Sequence, residues 1–133
     1  GPTTEGTMAR EIISTPDVPQ SPLFAQGVRV GNQIWVSGMT GVDPTSGDLA
    51  GPTIQDQVEQ ALTNCERVIE AGGGRRDGIV EVGVLLTRPE DFAGLNEAYS
   101  RHFPDDPPTR YVARLGPEPP GVLVSIRMTA VVG

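Results

Sequence analysis

The feature that most constrains this chain is the run Ile79-Val80-Glu81-Val82-Gly83-Val84-Leu85-Leu86, eight residues with a single charge among them. A run this apolar reads as a strand buried on both faces. Something must therefore cover each face of the sheet that holds it, and the chain offers two helical patterns for the purpose. The first extends from Thr53 to Ala71, with Ile54, Val58, Ala61, Leu62, Cys65, Val68 and Ile69 recurring at helical spacing. Thr53 can cap it, with Asp56 three residues on, and Gly72-Gly73-Gly74 stops it. The second has Pro89 near its first turn and runs to about Phe103; Phe92, Leu95, Tyr99 and Phe103 form one stripe, with Asn96 at its border. Two such helices cover one face of a sheet. The other face is left to a partner subunit, so self-association is expected.

The remaining segments supply strands. Glu11-Ile12-Ile13-Ser14 is a short strand ended by Pro16 and Pro19, and Ser21 to Gln26 is a loop that carries the aromatic Phe24. Gly27-Val28-Arg29-Val30 and Gln33-Ile34-Trp35-Val36-Ser37 alternate like strands, and Gly31-Asn32 between them suits a two-residue turn with positive φ, so the pair reads as a hairpin. Asp43-Pro44-Thr45-Ser46-Gly47-Asp48 is turn chemistry. Pro107-Pro108 sets an extended approach to the strand that opens Thr109-Arg110-Tyr111-Val112. After a Gly/Pro-rich bend over 116–121, the last strand spans Val122 to Val132. The order β-ββ-α-β-α-ββ predicts a two-layer α+β domain, a sheet with two helices on one face. The glycine triplet follows a helix instead of leading from a strand into one, which argues against a phosphate-binding loop.

Composition narrows the partners. A chain of 133 residues is one domain, read here as residues 10–133, with 1–9 set aside as a tag remnant and disordered N-terminus. The net charge of −7 excludes a general attraction to nucleic acid or anionic lipid. Cys65, the sole cysteine, falls on the buried helical stripe and reads as a reduced structural residue. No apolar run reaches the ~18 residues of a membrane span, so a cytoplasmic protein is expected. His102, the only histidine, lies near a helix end, where a solvated or C-terminal capping role is expected ahead of catalysis. No metal-ligand cluster stands out.

Arg110 opens its strand with a planar fork suited to a carboxylate, and shares a face with Val112 while Tyr111 and Ala113 take the other. With Arg110 in place, the whole from about residue 10 to 132 resembles the YjgF/Rid family of enamine/imine deaminases, formerly also called L-PSP ribonucleases. The resemblance rests on Val30-Gly31-Asn32 followed by Ile34-Trp35-Val36-Ser37-Gly38, on Gly41-Val42-Asp43-Pro44 with Gly47, and on the helix pattern from Gln57 to Ala71. Asp91-Phe92-Ala93 with Asn96 and Tyr99, and Pro108-Thr109-Arg110, complete it. It implies a chorismate-mutase-like α+β protomer in a homotrimer, with sites between subunits. It also implies cofactor-independent hydrolysis of a small carboxylate-bearing imine to a 2-oxo acid and ammonia. Arg110 would grip the carboxylate, with Phe24, Ser37, Gly38, Asn96, Tyr111 and Val112 around the substrate and Ser125 as the second catalytic residue.

The chain also departs from the family pattern. Phe24 stands where the family has a loop tyrosine, Ser125 where many deaminases carry a glutamate, Arg127 at a position often acidic, and Tyr111 where a small residue often follows the arginine. The anion-gripping part is kept and the water-handling part is rewritten. Two further readings follow: a pathway-specific enzyme of this fold that tautomerises, cyclises or dehydrates another substrate, and a non-catalytic ligand-binding trimer. A ribonuclease is disfavoured, since nothing basic tracks a phosphate backbone.

Overall fold

Residues 9–133 are described by a computed structural model. The first eight residues, to which nearly all of the tag-remnant reading applies, lie outside the described residues. The strands are β1 (Glu11–Ile13), β2 (Gly27–Val30), β3 (Gln33–Thr40), β4 (Ile79–Leu86), β5 (Thr109–Arg114) and β6 (Val124–Val131); the helices are α1 (Ile54–Ala71) and α2 (Phe92–His102). The strands form one sheet in the order β1-β2-β3-β6-β4-β5. Every pairing is antiparallel except the parallel β4–β5, so the sheet is mixed, as the order of elements predicts. Short 3₁₀ turns, Arg76–Gly78 and Pro89–Asp91, lead into β4 and α2.

Local chemistry sets the boundaries. The Thr53 hydroxyl accepts from the Asp56 N–H, which makes Thr53 the N-cap of α1. Gly73, at φ +94°, provides the left-handed residue after the helix that an L side chain would resist. Gly31, at φ +56°, makes the β2–β3 turn. The last strand begins at Val124, two residues later than expected, because the Leu123 N–H donates to Gln57 Oε1 on α1 and not to a neighbouring strand. Gln57 also donates to the carbonyls of Gly51 and Gly121, so one buried side chain fastens the 116–121 bend to the start of α1.

The register shows which residues share a face. Val36, Met128, Val82 and Arg110 lie in line across β3, β6, β4 and β5. This is the helix side: a Cβ on Gly27, paired with Val36, would meet Val68 of α1. Here Val82, Val84, Val124, Ile126 and Met128 pack fully buried against Leu62, Cys65, Ile69 and Leu95. The other side has no helix. Along it, Ile12, Val28, Trp35 and Thr129 align, as do Tyr111, Gly83 and Arg127, and Ala113, Leu85 and Ser125. Ile12 is 57% exposed, Trp35 39% and Tyr111 45%. The two-layer α+β expectation holds, and the uncovered face exposes large apolar side chains among polar ones. No helix among the described residues is long and apolar enough to cross a membrane.

Candidate functional site

Arg110 sits on the helix side near the start of the edge strand β5. Its guanidinium lies 4.8 Å from the centre of the Tyr99 ring and 5.9 Å from that of Phe92, and its Nη1 donates to Asn96 Oδ1 at 2.8 Å. Phe92, Asn96 and Tyr99 project along one side of α2, four and three residues apart, and form a rack for the fork. Phe92 departs from expectation, being 46% exposed where the stripe predicts core. The buried face of α2 is centred on Leu95, Ala98 and Tyr99, which leaves Phe92 at its margin, turned toward Arg110.

What Arg110 lacks is as informative. Arg67, Arg75, Arg76, Arg88, Arg101 and Arg127 each pair with an Asp or Glu. Arg29 donates to the carbonyls of Gly31 and Gly72. Arg110 is half-buried against two rings, bonded to a neutral amide, and has no carboxylate partner among the described residues. A half-buried guanidinium with its charge unmatched and its planar fork held by two rings can receive a carboxylate.

Phe24, Ser37, Gly38 and Ser125 gather elsewhere. Phe24 and Gly38 line a cavity of about 170 Å³ with Pro19, Gln20, Ser21 and Met39. A Cβ on Gly38 would stand 2.9 Å from Ser125 Oγ, so the missing side chain opens that hydroxyl's surroundings. The Phe24 loop is held by Gln26, whose buried amide accepts from the Thr15 N–H and donates to the carbonyls of Thr15, Val18 and Pro19. Ser37 serves the same loop: its hydroxyl donates to the Ala25 carbonyl at 2.5 Å and its N–H to that of Gln26.

Within the chain the two groups do not meet. Ser125 aligns with Leu85 and Ala113 on the open face, while Arg110 aligns with Val82 and Met128 on the helix face. Val112 stays with Arg110, and Tyr111 goes to the open face, where its ring lies over Gly83: a Cβ there would stand 2.5 Å from the ring. Arg127, on that face too, donates to Glu81 and to the Thr129 hydroxyl. The sheet itself separates the predicted anion grip from the predicted water-handling residue.

His102 is neither solvated nor a cap. Its Nε2 bonds Glu66, a buried carboxylate on α1 that also receives Arg76 Nε on both oxygens at 2.9 Å. Burial pushes the Glu66 carboxyl up, but the hydrogen bonds and charges of His102 and Arg76 outweigh it and leave the group below its ordinary value. Sequence reasoning missed this knot, because it needs the 3₁₀ turn at Arg76 to fold back on α1 and α2 to pack against α1, and neither contact is written in a local pattern. It also missed the Tyr99 ring as the shelf beneath Arg110. The spacing 92-96-99 on one helix was the available signal. Cys65 is buried as expected, its Sγ donating to the Ile126 carbonyl, and burial pushes its thiol far up. Among the described residues no three His, Cys, Asp or Glu side chains group as a metal site would require.

Residues 17–132 match the family model described as Endoribonuclease L-PSP. A RutC family protein of Saccharolobus solfataricus is 36% identical over 123 residues, 91% of this chain and 97% of that protein. The 2-iminobutanoate/2-iminopropanoate deaminase of Bos taurus is 34% identical over 128 residues, 96% of this chain and 93% of that protein. Among solved structures, E. coli TdcF with bound serine superposes with a TM-score of 0.85 at 30% identity, over 92% of this chain and 99% of that one.

Proposed function

Because the chain belongs to the Endoribonuclease L-PSP family, the YjgF/Rid proteins, we propose that it is an enamine/imine deaminase that hydrolyses a carboxylate-bearing imine to a 2-oxo acid and ammonia. The observation that carries this reading is Arg110, seated on two aromatic rings and an amide with no carboxylate of its own. A substrate carboxylate docked on that fork supplies the missing charge and fixes the neighbouring imine carbon. Water then adds to that carbon, the C=N bond becomes a C–N bond, and the nitrogen takes up protons. Collapse of the carbinolamine forms C=O and expels ammonia, the new oxygen and both protons gained by the nitrogen coming from the added water. Positioning and hydrogen bonding suffice for these steps.

The split across the sheet makes assembly part of the proposal. One protomer presents Arg110, Asn96 and Val112, and a neighbour in a homotrimer presents Phe24, Gly38 and Ser125. The exposed Ile12, Trp35 and Tyr111 support the burial of the open face against neighbouring copies. The test is a titration of the chain with 2-oxo acids, joined to turnover of 2-aminoacrylate and light scattering on the same preparation. Arg110→Ala is expected to keep the trimer and to weaken carboxylate binding by about 2–5 kcal/mol, the range for removing one side of a desolvated charge pair. Unchanged binding in that variant refutes the reading.

One observation favours a second reading. None of Phe24, Ser37, Gly38 and Ser125 carries an ionisable side chain, so the half-site facing the imine has no acid or base of its own. Binding of 2-oxo acids without release of keto acid from 2-aminoacrylate would favour a pathway-specific reaction or a ligand-binding trimer.

A further inference from the structure

Resting on Arg110 as the carboxylate anchor, we propose that the groove beside it along β5 is a side-chain subsite that selects imino acids with branched or aromatic apolar side chains over the alanine-derived one. The groove holds about 340 Å³ and is lined by Leu86, Thr87, Pro89, Phe92 and Val112, with Ala113 and Arg114 at its far end. Val112 shares the face of Arg110 two residues on, about 6.6 Å along the strand. Phe92 joins the two regions: its ring lies 5.9 Å from the Arg110 guanidinium and also forms the groove wall. An acid whose carboxylate rests on Arg110 can therefore direct its side chain between Phe92 and Val112.

The lining suits carbon. Its one neutral polar side chain, Thr87, already donates to the Leu123 carbonyl. Phe92 is left half out of the core where the helix pattern expects burial, which is the disposition of a wall that a ligand completes. An alanine-derived methyl group would leave most of this volume to water, whereas each further methylene buried is about a fourfold gain in affinity. The rival is a second anionic group reaching Arg114, which lies on the same face as Arg110 and Val112 and has no carboxylate partner among the described residues. Arg114 is exposed and lacks the seat of two rings and an amide that Arg110 has.

The test titrates the full chain with pyruvate, 4-methyl-2-oxopentanoate and 2-oxoglutarate, the products of imines with a methyl, an isobutyl and a carboxyethyl side chain. We expect the branched acid to bind at least tenfold tighter than pyruvate, 2-oxoglutarate to gain nothing over pyruvate, and Val112→Ser to cut the tenfold preference below threefold. Equal affinities for pyruvate and the branched acid, or tightest binding of 2-oxoglutarate, overturn the subsite. Arg110→Lys separates the two layers. If it weakens all three acids alike while the wild-type ratio is flat, the anchor stands and the subsite falls. If it weakens none, or if no acid binds to the wild type, the anchor falls and the subsite with it.

Discussion

The two faces of the sheet provide for their residues in different ways. On the helix face, α1 and α2 bury a continuous apolar layer, and the polar groups there mostly find partners in the same chain: Gln57 holds the bend, Asn64 the Thr40 and Val42 carbonyls, Glu66 both Arg76 and His102. On the open face Trp35 and Tyr111 stand exposed, Gly38 leaves room beside Ser125, and Arg127 is neutralised by Glu81. The first face is finished within the chain; the second is left open. Arg110 ties them together. It lies on the finished face, yet its charge has no carboxylate among the described residues, and Ser125 and Tyr111, two of the side chains expected to work with it, are on the unfinished one.

The sharpest way to break this contrast is to alter each face in turn. Ile126 is fully buried under α1, so Ile126→Ala is expected to cost about 2–5 kcal/mol in denaturant unfolding. Trp35→Glu puts a charge on the open face. It is expected to leave the protomer's circular dichroism intact and to reduce the light-scattering mass from trimer to monomer. A Trp35→Glu protein that keeps the parent mass would mean that the open face is not the assembly surface.

The helix face was largely legible in the sequence, because a 3.6-residue period and a period of two translate directly into buried layers. The positions of α1, α2, the hairpin and the Ile79–Leu86 strand follow from those periods and from Gly31, Thr53 and Gly73. The alternation along 109–113 also places Tyr111 opposite Arg110. Sequence could not show that Ser125 and Arg110 occupy opposite faces, because that depends on the registers of β4 with β5 and of β4 with β6. Those registers are contacts between segments, and no local pattern encodes them. The Glu66, Arg76 and His102 knot stayed hidden for the same reason.

That knot makes the next prediction. Glu66 is buried and its partners are held by hydrogen bonds to a charged group, so Glu66→Gln is expected to cost about 1–3 kcal/mol, less than full ion-pair loss because Arg76 keeps much of its hydration. The folded-state pKa of Glu66 is depressed below its ordinary 4.5. Its contribution is therefore fully present above about pH 4.5 and lost as pH falls through the lower folded value. Urea melts at pH 7 and at pH 3 should show the wild type and Glu66→Gln converging in acid. A gap that stays constant across that range would place the effect in packing and not in charge.

A smaller effect is expected beside Arg110. Tyr99 Oη is the one buried side-chain polar atom without a hydrogen-bond partner among the described residues. Deleting an unsatisfied hydroxyl removes a desolvation penalty, so Tyr99→Phe should raise stability by about 1–2 kcal/mol while the ring still supports the guanidinium. Loss of stability would show that the hydroxyl has a partner in the assembled protein. Loss of carboxylate affinity at unchanged stability would instead make it part of the ligand site.

The smallest effect tests whether the open face sets the chemistry. Ser125 lies beside Gly38, where the absent side chain leaves space, and Phe24 borders the cavity on the other side of that glycine. Ser125→Glu therefore has room to place a carboxylate where the chain now has a hydroxyl, and Phe24→Tyr adds a second polar group to the same region. A positioned acid or base can activate the attacking water, whereas the Ser125 hydroxyl can hold it by a hydrogen bond but offers no ionisable group to activate it. Each restored hydrogen bond contributes about 0.5–1.5 kcal/mol, which sets the scale of the expected gain in 2-aminoacrylate turnover per folded trimer. The gain should appear in the rate and not in the affinity for 2-oxo acids, since Arg110 and its rack lie on the opposite face and are untouched. A double variant that folds, assembles and turns over no faster would show that Phe24 and Ser125 do not limit the reaction. A gain confined to 2-oxo acid affinity would place them with the substrate rather than with the water.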